Sequence, residues 1–469
     1  MSDFSLTFTE RDEAALRAAV FAIPGTEGAA YVLFRECRIG FDPWSRRSRV
    51  RLLAKEIVPI AAQHRVSASA QHVTWNTAGF VELLQRCQRE GLVLGIAHSH
   101  PLGVECFSPQ DDGNEAELLR TACNRNGRDT KLVSVLFTHE GKIRARVWQY
   151  PKHKSDAACV SVIGERFRYF FDGPEMPVPE IFARQVMAFG PELVRQLRGL
   201  RVLVVGGGGT GSPTAMLLAR AGTGQVGVLD DDIVEATNLN RLHGATQADA
   251  DAMAGKADVV ACEIARLGLG CRVIPFRGWV NDSRMRDVLK SCDVIFCCTD
   301  DHSGRVFLNR FAHFYLVPVI DMGLAMSVAK PPLTGMADLS GRVTVVFPPE
   351  PCLLCRDAID LEEARAEDLR RSNPTEDERQ KREAYVRGGG NPNPAVVTFT
   401  TELACMAVNE LLNRIVGFRK KRLGSEIRRR FLFAEDRFPQ RSSKPDCPIC
   451  ASSLYWGIGD IDPFLDMVS

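Results

Sequence analysis

The chain carries almost no net charge: 59 lysines and arginines stand against 58 aspartates and glutamates, a balance of +1 over 469 residues. That balance lacks the basic excess of a nucleic-acid binder. No run of 18 or more apolar residues appears, and no N-terminal signal segment, so the expected protein is soluble, cytoplasmic and independent of membranes. No internal repeat is visible. Histidine is scarce, with 9 residues in all, so any clustering of it is informative. Cysteine is not scarce. Of 15, eleven are scattered, many in apolar runs such as Cys297-Cys298, and read as small buried residues of a reduced chain. A hydrophobic content of 45% marks a globular protein, and the length suggests two to four domains.

The histidines cluster in His98-Ser99-His100-Pro101, followed by Ser108 and Asp111. Two imidazoles and a carboxylate are three protein ligands, the set of a catalytic zinc whose fourth position stays open for water. Zinc lowers that water's pKa to about 7, and the Ser108 hydroxyl is placed to steady an oxyanion, so the chemistry is hydrolysis of an amide. The bland alternative is that two residues of one strand merely point the same way. The run Leu92 to Ala97 reads as the buried strand that delivers the motif, punctuated by Gly91 and Pro101.

A second feature begins at Arg201, where RVLVV enters Gly206-Gly207-Gly208-Gly209-Thr210-Gly211 and then an alanine- and leucine-rich helix. Such glycines let backbone amides approach phosphates at a helix N-terminus. By itself this fits any dinucleotide-binding domain with an acidic residue about 20 positions on. The continuation narrows it: Val226 to Leu229 forms the next strand, then come Asp230-Asp231-Asp232 and Asn238-Leu239-Asn240-Arg241. Cationic clamps with a magnesium carboxylate suit attack on the α-phosphate of ATP, not hydride transfer. A third feature is the pair of knuckles Cys352-Leu353-Leu354-Cys355 and Cys447-Pro448-Ile449-Cys450, whose four thiolates make the closed set of a structural zinc, with a redox disulfide as the alternative.

The frame HSHPLGVECFSPQD resembles the JAMM (JAB/MPN) metalloproteases, which cut isopeptide or peptide bonds at the C-terminus of ubiquitin-like proteins. That resemblance implies a glutamate on an early strand as general acid and base. Glu27 in EGAAYVLF matches best, ahead of Glu36 and Glu56. The segment AGTGQVGVLDDDIVEATNLNRL resembles the ThiF/MoeB-type adenylating domain of ubiquitin-activating enzymes, and Lys256, Thr299-Asp300, Arg305, Asn309 and VPVIDMG follow in that family's order. From about Arg184 to Phe433 the resemblance implies phosphate contacts at Gly206, Gly208, Gly209 and Gly211, with Asp230 on the ribose. Asn238, Arg241 and Lys256 would meet the phosphates, and Asp300, with Asp232 nearby, the magnesium. It also implies that Arg184 reaches the ATP of the second subunit in a homodimer formed through the adenylating domain, and that the cysteine pairs staple the C-terminal strand to the body.

The expected fold is α/β. A JAMM/MPN domain at 1–150 is followed by a proline-containing linker at 151–180, a Rossmann-like adenylating domain with a largely parallel sheet at 181–459, and a tail at 460–469. Residues 356–394, dense in charge, glycine and proline, are expected to form a mobile crossover loop. That loop holds no cysteine, and Cys405 downstream reads as a buried structural residue rather than a thioester nucleophile. Arg428-Arg429-Arg430 before FLF reads as the exposed part of a strand rather than a partner site. The resemblances together imply a bifunctional enzyme that processes and adenylates a ubiquitin-like β-grasp protein. Zinc, ATP and magnesium would be its cofactors and a conjugating-enzyme-like protein its further partner, as in the bacterial ubiquitin-like operons linked to phage defence. Two rivals stay open: activation of a sulfur carrier, and a scaffold with a silent protease half.

Overall fold

The computed structural model describes residues 3–60, 65–68, 73–75, 78–101, 104–175, 177–328, 335–373, 395–422 and 424–467. The chain divides into two compact units: Met1–Glu175 with Phe314–Leu316 and Leu454–Ser469, and Met176–His313 with Val317–Ser453.

The first unit is built on β1 (Phe4–Thr9), α1 (Glu10–Val20), β2 (Ala29–Asp42), β3 (Arg47–Pro59), the short pair β4 (Arg65–Ala68) and β5 (Val73–Trp75), α2 (Ala78–Glu90), β6 (Val93–His100), α3 (Pro109–Asn126), β7 (Leu132–Thr138), β8 (Ile143–Gln149), β9 (His153–Asp156), β10 (Cys159–Ile163) and β11 (Arg168–Phe171). Nine strands make one sheet in the order β11-β10-β1-β3-β2-β6-β7-β8-β9. Alternate side chains of a strand point to opposite faces, and β2 serves two cores this way. Ala30, Val32 and Phe34 pack with Leu16 and Val20 of α1, whereas Tyr31 and Leu33 pack with Phe80 and Leu84 of α2 and Leu119 of α3. The sheet is therefore covered by helices on both faces, with the HxH strand β6 pairing β2 and β7 near its centre.

The second unit contains α4 (Ala183–Phe189), α5 (Pro191–Gly199), β12 (Arg201–Val205), α6 (Gly211–Ala221), β13 (Gln225–Leu229), α7 (Gln247–Asp251), α8 (Lys256–Arg266), β14 (Arg272–Phe276), α9 (Arg286–Lys290), β15 (Val294–Cys297), α10 (His302–Tyr315), β16 (Val319–Val328), β17 (Met336–Val346), α11 (Leu361–Ser372), α12 (Val397–Val416), β18 (Glu426–Arg430) and β19 (Glu435–Arg437). Its sheet runs β14-β13-β12-β15-β16-β17-β18-β19, parallel through β16 and antiparallel from β17 onward. The order reverses at β12, with β13 on one side and β15 on the other, and in open α/β sheets such a switch point leaves a crevice at the carboxyl ends of the strands.

Three boundaries differ from the expected ones. Most of the stretch expected as a linker at 151–180 belongs to the first unit, where the fully buried β10 pairs in parallel with β1 (Leu6 opposite Val160) and β11 closes the edge. Three of the four prolines that suggested a linker, Pro174, Pro177 and Pro179, lie beyond β11. The segment from Leu454 onward joins the first unit instead of ending the second. Lys55 Nζ donates to the carbonyls of Leu454 (2.8 Å) and Trp456 (3.0 Å), and the Arg38 amide donates to Asp460 (3.1 Å). The expected crossover loop at 356–394 contains the helix α11, capped by Asp360, whose carboxylate accepts from the amides of Glu362 and Glu363. Residues 374–394 lie outside the described residues.

Candidate functional site

The first site sits where β6 ends. His98 and His100 are two apart on β6 and so share a face, and both are buried. Asp111 comes from the first turn of α3. Ser108 is the N-cap of that helix: its hydroxyl donates to Asp111 Oδ2 (2.8 Å), and its amide donates to the same oxygen (2.6 Å). Asp111 in turn lies 3.4 Å from Nε2 of His98 and 3.4 Å from Nε2 of His100. The ligand atoms of the three residues fall within 4.8 Å of one another. The buried Nε2 of His98 makes no hydrogen bond, as expected of an atom kept for a metal. Nδ1 of His100 is 3.2 Å from the Val104 carbonyl, and that contact fixes the tautomer which leaves Nε2 as a ligand. Burial lowers the His100 pKa, but Asp111, Glu27 and the Val104 carbonyl outweigh it and hold the imidazole above its ordinary value. Burial acts to raise Asp111, yet His100, His98 and the Ser108 amide hold its carboxyl far below the usual carboxylate range. Two imidazoles and one carboxylate in this arrangement fit a zinc ion with an open position.

Of the three candidate glutamates, only Glu27 lies at this site. Its Oε1 is 3.8 Å from Nε2 of His100. Glu36 is paired with Lys131 at 2.5 Å, and Glu56 with Arg86 at 2.6 Å. Glu27 is placed by its neighbour Gly28, which shares two bonds with Ser99 across β2 and β6: Gly28 N donates to Ser99 Oγ (3.1 Å) and Ser99 N to the Gly28 carbonyl (3.2 Å). A Cβ on Gly28 would lie 2.4 Å from the Val20 carbonyl, so only glycine lets the chain pass here. Ser108 differs from expectation, because its hydroxyl proton is engaged by Asp111 instead of standing free to meet an oxyanion.

A feature that the sequence did not mark out is the stack beneath His98. The Phe107 ring lies 5.8 Å from the His98 ring, and the Arg146 guanidinium lies 3.8 Å from the Phe107 centroid. Arg146 is itself held by Glu115 (2.8 Å) and Asp112 (2.6 Å).

The second site is a cleft of about 830 Å³ over the carboxyl ends of β12, β13 and β15. Gly206, Gly208, Gly209, Asp230, Asp232, Asn238, Arg241, Lys256 and Asp300 all line it. Gly211 lies just beneath, as the first residue of α6. Gly206 has φ +90°, and a Cβ on it would meet the Cys298 carbonyl carbon at 2.9 Å. Nothing lies within 4 Å of where a Cβ on Gly208 would point, so that space is open to a ligand. No side chain caps α6, Ser212 N donates to the Gly208 carbonyl (2.9 Å) and Pro213 has no N–H, so the donors that a phosphate would meet are the amides of the glycine loop leading into the helix. Asp230 is held by the amides of Gly207 (2.5 Å) and Asp232 (2.8 Å), although burial, the largest effect, leaves its pKa raised. Lys256 Nζ donates to Asp232 at 2.7 Å and Arg241 to the Thr237 carbonyl at 2.6 Å, while Asn238 Oδ1 accepts the Glu235 amide. Asp300 is exposed at the cleft. Its neighbour Asp301 is pushed up to about 6 by burial, with Glu367 and Asp300 nearby. Arg184, on α4, is exposed and is not part of the cleft lining.

Further residues shape this site. Arg371 of α11 stacks on Trp279 at 3.6 Å and pairs with Asp231 at 2.7 Å, and all three line the cleft. Arg305 donates to the Thr299 carbonyl (2.7 Å) and so holds the loop that carries Asp300, and Asp321, fully buried, fixes Arg305 at 3.2 Å. The signal for Asp321 was present, a carboxylate within the apolar strand VPVIDMG.

The four knuckle cysteines come together at the end of the second unit. Their sulfurs lie 3.6 Å (Cys352–Cys447), 3.4 Å (Cys355–Cys450) and 3.6 Å (Cys447–Cys450) apart, and all 15 cysteines are free thiols. Zinc–sulfur bonds of about 2.3 Å in a tetrahedron set sulfurs about 3.8 Å apart, so the cluster fits a structural zinc. The Lys444 amide donates to Cys355 Sγ at 3.2 Å. A hydrogen bond from Cys352 draws the Cys450 thiol below its ordinary value.

A family model described as the ThiF family matches residues 182–449, more than half of the chain, and one described as prokaryotic homologs of the JAB domain matches residues 9–149. The SAMP-activating enzyme E1 of Haloferax volcanii is 31% identical over 166 residues, which cover 35% of this chain and 56% of that enzyme. The adenylyltransferase and sulfurtransferase MOCS3 of Bos taurus is 36% identical over 136 residues, 27% of this chain and 28% of that protein. This chain thus spans about half or less of the curated relatives it matches. Among solved structures, E. coli MccB with MccA-N7isoASN matches with a TM-score of 0.45 and 14% identity, covering 59% of this chain and 76% of that one. The described residues contain no helix long and apolar enough to cross a membrane. The chain belongs to the ThiF family, and ahead of its ThiF region it carries a domain of the prokaryotic JAB type.

Proposed function

We propose that this chain is a two-activity enzyme acting on one small ubiquitin-like β-grasp protein, within a bacterial conjugation system of antiphage type. The second unit adenylates the partner's C-terminal carboxylate, and the first trims its precursor tail or removes it from conjugates. The observation that carries this reading is the presence in one chain of a cation-lined cleft with an uncapped helix above β12 and of the buried His98–His100–Asp111 set.

In the adenylating cleft, the amides of Gly208, Gly209 and Gly211 hold the phosphates of ATP, Gly206 lets the backbone come close to them, and Asp230 accepts from the ribose hydroxyls. Arg241 and Lys256 neutralise the phosphate charge, Asn238 donates a hydrogen bond to it, and Asp300, with Asp232 nearby, would hold magnesium. The partner's carboxylate oxygen attacks the α-phosphorus, the bond to the bridging oxygen breaks, and pyrophosphate leaves with that electron pair. Arg184, exposed on α4, serves the cleft of a second copy, which makes the working unit a homodimer. The adenylate then passes to a thiol on a conjugating-enzyme-like partner or to an amine.

In the protease site, His98, His100 and Asp111 would hold zinc, which supplies Lewis acidity to water and to the scissile carbonyl. Glu27 takes the proton of the attacking water and returns it to the leaving amine. Ser108 holds Asp111 in place through its cap.

The relatives named adenylyltransferase and sulfurtransferase favour a second reading, in which the adenylate accepts sulfur for a cofactor or cysteine. Genes beside this one separate the two: a conjugating-enzyme-like gene supports conjugation, and a sulfurtransferase gene supports sulfur transfer. The test of the shared step is ATP–pyrophosphate exchange with a glycine-ended β-grasp protein. Exchange that needs this protein supports adenylation, and no exchange with any such protein leaves a binding scaffold.

A further inference from the structure

The edge of the second sheet carries an arrangement that nucleotide binding does not use. Arg342 of β17 stands directly opposite Arg428 of β18, which stands directly opposite Arg437 of β19. Residues paired across antiparallel strands share a face, and like charges placed so destabilise a sheet. Arg430, two residues from Arg428, lies on the same face, and all four arginines line the cleft. Their carboxylates are shared. Asp321 serves Arg342 and Arg305, Glu426 serves Arg428 and the buried Arg356, and Glu435 serves both Arg430 and Arg437. The row therefore presents an excess of positive charge, held at a cost to the sheet, along one wall of the cleft. Only Asp338 opposes it among the lining residues of these three strands.

We infer that this arginine row holds acidic side chains in the extended C-terminal tail of the protein that the cleft adenylates. The inference rests on the adenylation reading above and names the chemistry of its substrate. Position fixes which residues are met. Strands lie about 4.8 Å apart, so the row begins two spacings, about 10 Å, from the end of β15 beside Asp300 and ends about 19 Å away. An extended chain covers about 3.3 Å per residue, so the arginines meet the third to sixth residues from the terminal carboxylate. Gly323, which stands opposite Arg342 and lines the cleft, keeps its floor low for such a chain. Arginine forks pair with carboxylates through two parallel hydrogen bonds, and this favours aspartate or glutamate at those positions over lysine.

Fluorescein-labelled decapeptides ending in Gly-Gly, with glutamate, serine or lysine at the third to sixth positions from the end, test this on the full chain by fluorescence anisotropy and by ATP–pyrophosphate exchange. The glutamate peptide is expected to bind at least tenfold tighter than the lysine peptide. Arg437→Glu should erase the preference, and Arg437→Lys should keep most of it, with melting temperatures unchanged in both. Equal binding of the glutamate and lysine peptides, or a preference that survives Arg437→Glu, overturns the inference. Acid-selective peptide binding with no exchange by any glycine-ended β-grasp protein leaves the row as a docking surface and defeats adenylation, whereas exchange without charge preference defeats the row and leaves adenylation standing.

Discussion

Gly211 packs so closely beneath Gly206 that a Cβ on it would lie 1.7 Å from the Gly206 carbonyl oxygen. The backbone of the phosphate loop is thus folded onto the start of α6 with no room for a side chain. Gly211→Ala is expected to destabilise the second unit by about 1–3 kcal/mol and to abolish ATP binding, because the loop must shift to admit the methyl group. Gly208→Ala has a different expected outcome. Its Cβ meets nothing within 4 Å, so stability should stay within about 0.5 kcal/mol while ATP affinity falls at least tenfold. Thermal melts with calorimetric titration of a non-hydrolysable ATP analogue separate the two.

Replacing His98, His100 or Asp111 by alanine should remove one zinc per chain and all tail cleavage. Glu27→Gln should keep that zinc and slow cleavage about 10²–10⁴-fold, since a general base moves protons without holding the ion. Metal content by elemental analysis alongside a cleavage assay checks both, and full activity in Glu27→Gln would rule out Glu27 as the base. Ser108→Ala should weaken the cap of α3 by about 1 kcal/mol.

Cys352→Ser should remove the second zinc and lower the melting temperature of the second unit, while zinc bound at His98 and His100 stays. The four sulfurs are buried and within 3.6 Å of one another in each measured pair, so loss of one leaves three thiolates without a full set. Metal stoichiometry falling from two to one is the expected result. An unchanged stoichiometry would remove zinc from this cluster.

Glu13 ties α1 to β11 through Arg168 at 2.9 Å, and Arg17 meets it at 2.7 Å. Burial acts to raise its pKa, but these two arginines prevail and hold it below the ordinary glutamate value. A depressed folded-state pKa means stability that is present above about pH 4.5 and lost as pH falls through the folded value. Arg168 is partly exposed, so the pair is discounted to about 1 kcal/mol. Urea melts of Arg168→Ala should show that deficit at pH 7, shrinking as the pH falls below the ordinary glutamate range. A pH-independent deficit would mean that packing, not charge, is what the substitution removes.

Much of this was legible because catalytic chemistry is written locally. His98 and His100 close the strand β6 and Asp111 opens the next helix, α3, the glycines lie in six consecutive positions, and each cysteine knuckle in four. What escaped depends on pairing between distant segments. CVSVI at β10 looks like any short apolar run until β1, some 150 residues earlier, lies beside it as a parallel partner, and the prolines around it suggested a linker. α11 escaped because its charge density resembles a solvated loop, whereas Glu367 accepts from the amides of His302 (2.7 Å) and Ser303 (2.8 Å) and anchors it to α10. Arg428-Arg429-Arg430 was legible as a strand, but its alignment with Arg342 and Arg437 is a matter of register, which single-strand patterns do not carry.

Transfer should proceed without a thioester on this chain. Cys405 lies on α12, partly buried, with its thiol pushed up by burial and by Glu402, which leaves little thiolate at neutral pH. Cys352 and Cys355 belong to the sulfur cluster. Incubation with ATP and the β-grasp partner, followed by a gel without reductant, should show no adduct. A reductant-sensitive adduct lost in Cys405→Ala would make that residue a nucleophile.

The two activities are joined most directly by ATP–pyrophosphate exchange with a partner carrying a few extra residues beyond its terminal glycine. The intact enzyme should exchange with this precursor after a lag for trimming, whereas His98→Ala should exchange only with the mature, glycine-ended form. Absence of exchange with the mature form, or equal exchange with the precursor by the enzyme and by His98→Ala, would contradict a single enzyme that trims and then activates one substrate.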